Sequence, residues 1–158
     1  MAATSNLSST ITPLSNPAKG AAFEEEAQRC LAASGIQTER PFRWPIGHPA
    51  KAHNFDLGSV PPGLSPRVAV ECKSYSWTAA GNAPAAKLTA LREAVLYLSL
   101  LPTDFRAMIA MARDVRSGES LADYFGRLNG HLLGRIELVE IHNDAARWIT
   151  TGTGDRAG

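Results

Sequence analysis

Between Phe105 and Ala112 the chain reads Phe-Arg-Ala-Met-Ile-Ala-Met-Ala, and this nearly unbroken apolar stretch limits the fold more than any other feature. A strand without polar alternation has to be covered on both faces, as in the centre of a sheet flanked by helices. The preceding segment supplies the connection such a strand needs. From Ala85 to Leu101, residues Leu88, Leu91, Val95, Leu98 and Leu101 fall on one helical stripe. Before it, Arg67 to Lys73 reads as a strand, so strand, crossover helix and strand form a parallel βαβ unit.

The rest of the chain completes the layout. Phe23, Ala27, Cys30 and Leu31 recur at helical spacing, with three glutamates in the first turns and Gly35 as a stop, which predicts an amphipathic helix over 20–34. Gln37 to Gly47 is expected to be extended. Residues 53–58 read as a short strand closed by the Pro/Gly-rich loop Val60 to Pro66. Leu121, Tyr124, Phe125 and Leu128 mark another helix, and Arg135 to His142 a final strand. The order α-β-β-β-α-β-α-β defines an α/β fold, a mixed sheet with helices on its faces. The Ser/Thr/Asn/Pro-rich start 1–17 and the tail 151–158 have little to bury, so the expected folding unit is 18–150 with mobile ends.

Composition narrows the partners. Sixteen Lys plus Arg against fifteen Asp plus Glu leave a formal net charge of +1, so contact with a polyanion has to come from a local patch. The two cysteines, Cys30 and Cys72, sit in apolar settings that suit buried thiols, and the sequence has neither a secretory h-region nor a run of 18 apolar residues. These features favour the cytoplasm and no membrane partner.

The candidate chemistry lies at the end of the strand Arg67-Val-Ala-Val-Glu-Cys-Lys73. At a period of two, Glu71 and Lys73 share one face, side by side. A carboxylate suited to a divalent metal beside an ammonium suited to orienting water or offsetting phosphoryl charge is one reading. An ordinary ion pair worth at most about 1 kcal/mol is the other. With this composition about 0.4 acid-x-Lys tripeptides are expected by chance, so the setting decides. Fifteen residues upstream, Asp56 lies within the apolar run Phe55-Asp-Leu57, where an unpaired carboxylate costs several kcal/mol. Two strands joined by a loop bring Asp56 next to Glu71. At roughly 5 Å and an effective dielectric near 20 their repulsion is about 3 kcal/mol, which a bound divalent cation removes. The alternative is that Asp56 caps a turn or pairs with an arginine.

These residues resemble the PD-(D/E)XK nuclease superfamily, the restriction-endonuclease-like fold. The pattern of an acid on one strand, a spacer and acid-x-Lys on the next is similar to Asp56 followed by Glu71-Cys72-Lys73, and Gly20-Ala-Ala-Phe-Glu24 is similar to the opening of that superfamily's first helix. Phe55 stands where the family pattern has proline. Glu71 to Thr78 and Lys87 are also similar to a group of bacterial proteins of this fold. The resemblance covers about residues 18–115 and implies a Mg²⁺-dependent endonuclease, with Mn²⁺ substituting. Asp56, Glu71 and Glu24 would be its metal ligands and Lys73 the group positioning the nucleophile. Helical phase agrees on the glutamate: at 100° per residue Glu24 lies about 60° from the centre of the apolar stripe, Glu26 about 100° and Glu25 about 160°. The alternative for all three is a favourable interaction with the helix N-terminus.

Two segments have the composition of a nucleic-acid surface. Arg43 to His53, read as a loop, carries Arg43, Trp44, Lys51 and His53, and Tyr75, Trp77 and Asn82 follow Lys73 closely, with Lys87 opening the next helix. Packing is the competing role for Trp44 and Trp77, and solvation for Lys87. The histidines have no partner at zinc spacing, and no nucleophile-elbow or phosphate-loop motif occurs. The expected activity is phosphodiester hydrolysis, with DNA as substrate. A nucleic-acid-binding or scaffold module on the same fold is the alternative. The apolar second half of the helix at 85–101 is covered either by the helix near 120–130 or by a second subunit, and a homodimer is expected.

Overall fold

In a computed structural model, which describes residues 13–63 and 66–151, a five-stranded mixed sheet is sandwiched between one helix on one face and two on the other. The elements are α1 (Asn16–Ala33), β1 (Phe42–Ile46), β2 (Lys51–Phe55), β3 (Leu57–Ser59), β4 (Arg67–Lys73), α2 (Ala85–Ser99), β5 (Phe105–Ala112), β6 (Val115–Arg116), β7 (Glu119–Ser120), α3 (Leu121–Leu133), β8 (Glu137–His142) and β9 (Ala145–Trp148). The sheet order is β3-β4-β5-β8-β9. Strands β4, β5 and β8 run parallel, and β3 and β9 pair antiparallel at the two edges. No helix among the described residues is long and apolar enough to cross a membrane.

The alternation along the strands assigns the layers. Val68 and Val70 of β4, Met108 and Ala110 of β5, and Val139 and Ile141 of β8 pack with Phe23, Ala27, Cys30 and Leu31 of α1. The intervening Ala69, Ala107, Ile109, Met111 and Leu138 pack with α2 and α3 on the other face. Glu71 and Lys73 continue the parity of Ala69, so β4 carries them out on the α2 side. Ser15 caps α1, its hydroxyl accepting from the Ala18 N–H at 3.4 Å with Pro17 in the first turn. The helix therefore begins four residues before the predicted 20–34. Asn16 and Pro17 are helical, so the expected mobile start is too long at that end; its first twelve residues lie outside the described ones. At the tail, Thr151 packs into the notch left by Gly126 and Gly130, and the remainder of 151–158 lies outside the described residues.

Three expectations change. Residues 43–53 are not a loop: β1 and β2 form an antiparallel hairpin, with Phe42 paired to Phe55 and Ile46 to Lys51, whose apolar side joins the α2-side core. Asp56 is not inside a strand but at the bend between β2 and β3. The strand ending at His142 is not the last: Asn143 and Asp144, both with positive φ, turn the chain into β9. Helix α3 does pack beside α2, where the Arg92 guanidinium donates to Asn129 Oδ1 at 3.1 Å, yet Leu96 of α2, Leu100 just past its end, and Leu128 and Leu132 of α3 remain exposed.

Candidate active site

The antiparallel ladder of β3 with β4 has Leu57 opposite Val70 as its last pair towards the C-terminal end of β4. Past that point the chain bends at Asp56, and its carboxylate takes over as the acceptor: the Cys72 N–H donates to Asp56 Oδ2 at 2.7 Å. A side chain thus satisfies a backbone donor that the shortened β3 leaves behind. It also fixes an acid against the peptide lying between Glu71 and Lys73.

Glu71 is buried, 6 % exposed, and both of its oxygens are engaged. Lys73 Nζ donates to Oε2 at 2.9 Å, and His53 Nε2 lies 3.2 Å from Oε1. The His53 ring is held between Phe55, at 4.6 Å between centroids, and Tyr97, at 4.2 Å. Tyr97 is itself tethered by donating its hydroxyl to Glu93 at 2.8 Å. Glu71, Lys73 and His53 line a cleft of about 210 Å³ against α2 with Asn54, Glu93 and Tyr97. Asp56 lines a second cleft, of about 450 Å³, with Glu24 and Ala21 of α1, Arg40 and Asn54. Asn54 borders both.

Although the acids divide between two clefts, they act on one another. Burial is the main cause that pushes the Asp56 carboxyl up from 3.8 to about 6; the Cys72 N–H opposes it, Glu71 and Glu24 add to the rise, and Lys73 counters it. Burial also works to lower Lys73, but Glu71 and Asp56 outweigh it and hold the ammonium above its ordinary value, so Lys73 is a fixed cation. The Cys72 thiol, pushed well up by burial and by the same carboxylates, is no nucleophile. Among the described residues no set of three or more His, Cys, Asp or Glu groups is arranged to hold a metal ion. The donor chemistry nevertheless fits a hard divalent cation: three carboxylates, of which Glu71 and Glu24 add to the burial that raises Asp56 well above the ordinary range.

The remaining sequence candidates scatter. Glu24 meets Arg40 at 3.9 Å, while Glu25 pairs with Arg40 at 3.0 Å on the outside of α1. Arg43 and Lys51 are exposed on the hairpin. His53 faces Glu71 instead of solvent. Tyr75 is half-buried beneath Lys87, whose ammonium lies 5.4 Å from the ring centroid. Trp77 is a fastening residue: its backbone N–H donates to Asp114 Oδ2 at 2.7 Å, its indole N–H to the Asp114 carbonyl at 3.1 Å, and its ring packs on Tyr124. Trp44 likewise stacks on Phe42 and Phe105 with the Arg67 guanidinium over its ring. Two site residues escaped the sequence reading. Arg40, 16 residues from Glu24, has no local signal, and Tyr97 lies in the apolar second half of the helix at 85–101, where nothing sets it apart.

Comparison with protein-family profiles, curated proteins and solved structures finds no match to this chain.

Proposed function

We propose that this chain is a metal-dependent nuclease of the PD-(D/E)XK type, with a restriction-endonuclease-like fold, that hydrolyses phosphodiester bonds of DNA. The observation that carries the reading is the placing of Asp56, Glu71 and Glu24 about the end of β4, near enough that Glu71 and Glu24 add to the burial that lifts Asp56 to about 6, with the charged Lys73 alongside. Asp56, Glu71 and Glu24 would hold Mg²⁺, or Mn²⁺ in its place. When bound, the ion supplies charge neutralisation and a more acidic water. Lys73 orients the attacking water and offsets charge on the non-bridging phosphoryl oxygen, its ammonium fixed by Glu71. The exposed cations Arg43, Lys51 and Lys87 contact phosphates. Water is the nucleophile, and no covalent intermediate forms. A twofold pair of chains, joined through Leu96, Leu100, Leu128 and Leu132, would present two such sites to a duplex.

One observation favours the second reading, a nucleic-acid-binding module without catalysis: Asp56 and Glu71 each have a structural partner, in Cys72 N–H and in His53 and Lys73. A cleavage assay with Mg²⁺ on single-stranded, double-stranded and branched DNA, with RNA in parallel, separates the two. The nuclease reading expects products on at least one DNA substrate, loss on chelation, and a fall of about a hundredfold or more in Lys73→Ala. Binding to those substrates without cleavage, or cleavage that Lys73→Ala leaves intact, would overturn it.

A further inference from the structure

Glu71 is the proposed ligand with both oxygens already engaged, one by Lys73 and the other by His53. We propose that His53 is a positioning residue that holds Glu71 Oε1 in the α2-side cleft, away from Asp56, and that a divalent cation binds by taking this oxygen from His53. The inference rests on the nuclease reading above. Its geometric basis is independent of it. The Oε1 oxygen lies 3.2 Å from His53 Nε2, while Oε2 is bound by Lys73 at 2.9 Å. Asp56 and Glu24 border the adjoining cleft, with Asn54 between the two. His53 cannot easily follow a moving Glu71, because Phe55 packs against one side of its ring and Tyr97 against another, and Tyr97 is tethered in turn to Glu93. The imidazole is thus a fixed point, and a carboxylate already bonded to it has to give up that bond before joining Asp56.

Competition of this kind has a definite sign. Outer partners that support a ligating carboxylate raise metal affinity, and their removal lowers it. A partner that holds the carboxylate elsewhere does the opposite. Titration calorimetry with Mn²⁺, in the absence of nucleic acid, on wild type, His53→Phe and His53→Gln reads the difference. Phenylalanine keeps a ring between Phe55 and Tyr97 but loses the nitrogen, and the Mn²⁺ Kd should fall about tenfold, the scale of one hydrogen bond to a charged group. Glutamine retains a donor and should stay within about threefold of wild type. Tyr97→Ala, which frees the imidazole on one side, should tighten binding in the same direction and serves if His53→Phe does not fold. An unchanged or weaker Kd in His53→Phe, or in Tyr97→Ala in its place, overturns the proposal and makes His53 a supporting partner. Asp56→Asn separates this failure from that of the nuclease reading. If wild type shows no Mn²⁺ binding that Asp56→Asn abolishes, the metal site itself falls and this inference with it.

Discussion

Two buried carboxylates point to the same face of the sheet, Glu71 at the end of β4 and Glu140 on β8, and their surroundings differ in sign. Glu140, with its side chain 1 % exposed, has Arg113 Nη1 at 3.1 Å and Arg147 Nη2 at 2.9 Å on one oxygen, and Arg147 goes on to hold Asp123. Its other oxygen is buried without a partner. Glu71 has one lysine and one histidine, and it and Glu24 are both in electrostatic reach of Asp56. Around Glu140 two guanidiniums answer two carboxylates, and the Asp123 carboxyl is held below its ordinary value, chiefly by the Arg147 hydrogen bond. Around Glu71 three carboxylates face one fixed ammonium and Arg40, which Glu24 shares with Glu25, and Asp56 is raised, chiefly by burial. A balanced cluster is a brace. An unbalanced one leaves a negative potential for something else to neutralise.

The largest test of this contrast is Glu140→Ala, which leaves Arg113 and Arg147 without their shared acceptor. It should lower unfolding stability by about 3 kcal/mol in urea denaturation, with no change in metal response. At the other cluster, Mg²⁺ at a hundredfold excess over its Kd should raise stability by about 2.7 kcal/mol, read as a higher Tm, and do nothing to Asp56→Asn. An equal shift in both proteins would mean that the ion binds elsewhere.

Asp56→Asn sharpens the comparison without metal. The folded protein keeps a proton on Asp56 up to about pH 6, whereas the unfolded chain loses it near 3.8. Stability from this group therefore declines as pH rises between those values, and the full penalty applies above them. The rise corresponds to about 3 kcal/mol, reduced to about 2 by the residue's partial exposure. Asparagine can still accept from the Cys72 N–H, so the variant should be about 2 kcal/mol more stable than wild type at pH 8 and nearly equal at pH 3.5. A destabilised variant at pH 8 would make Asp56 purely structural. Asp123→Asn is the mirror case and the smallest effect. Its lowered carboxyl contributes above pH 3.8 and loses that contribution as pH falls through its folded value; exposed as it is, the loss at pH 7 should be under about 1 kcal/mol.

The unbalanced cluster was the more legible in the sequence. Strand β4, with its alternating valines, and β5, with its unbroken apolar run, have the bounds expected of them, and the parallel crossover through α2 follows from those two periodicities. Glu71 and Lys73 share a face because two residues separate them on a strand, a purely local fact. Asp56 was found by its misfit among apolar neighbours, but that misfit could not distinguish a strand interior from a bend. The Glu140 brace had no such signature: Arg113 is 27 positions away and Arg147 lies across a turn. Its visibility depended on β9, whose turn pair Asn143-Asp144 is the one local cue that reading His142 as the chain's last strand residue passed over. The hairpin of β1 and β2 was masked by Pro45, Gly47 and Pro49, which mark a loop by composition even where two of them flank or occupy strands.

The outer edge of the sheet at β3 is short, and Gly58 closes it. The Gly58 N–H donates to the Glu39 carbonyl at 3.1 Å and the Glu39 N–H returns the bond at 2.7 Å, while the Phe42 ring lies where a Cβ at position 58 would fall, 2.3 Å away. A side chain at 58 would push that ring off the strand and open the one outward-facing backbone pair of β3. With glycine in place, a strand from another chain has no free ladder to extend on that side. The other edge of the sheet is β9, whose Arg147 is turned onto the α3 face and held there by Glu140 and Asp123.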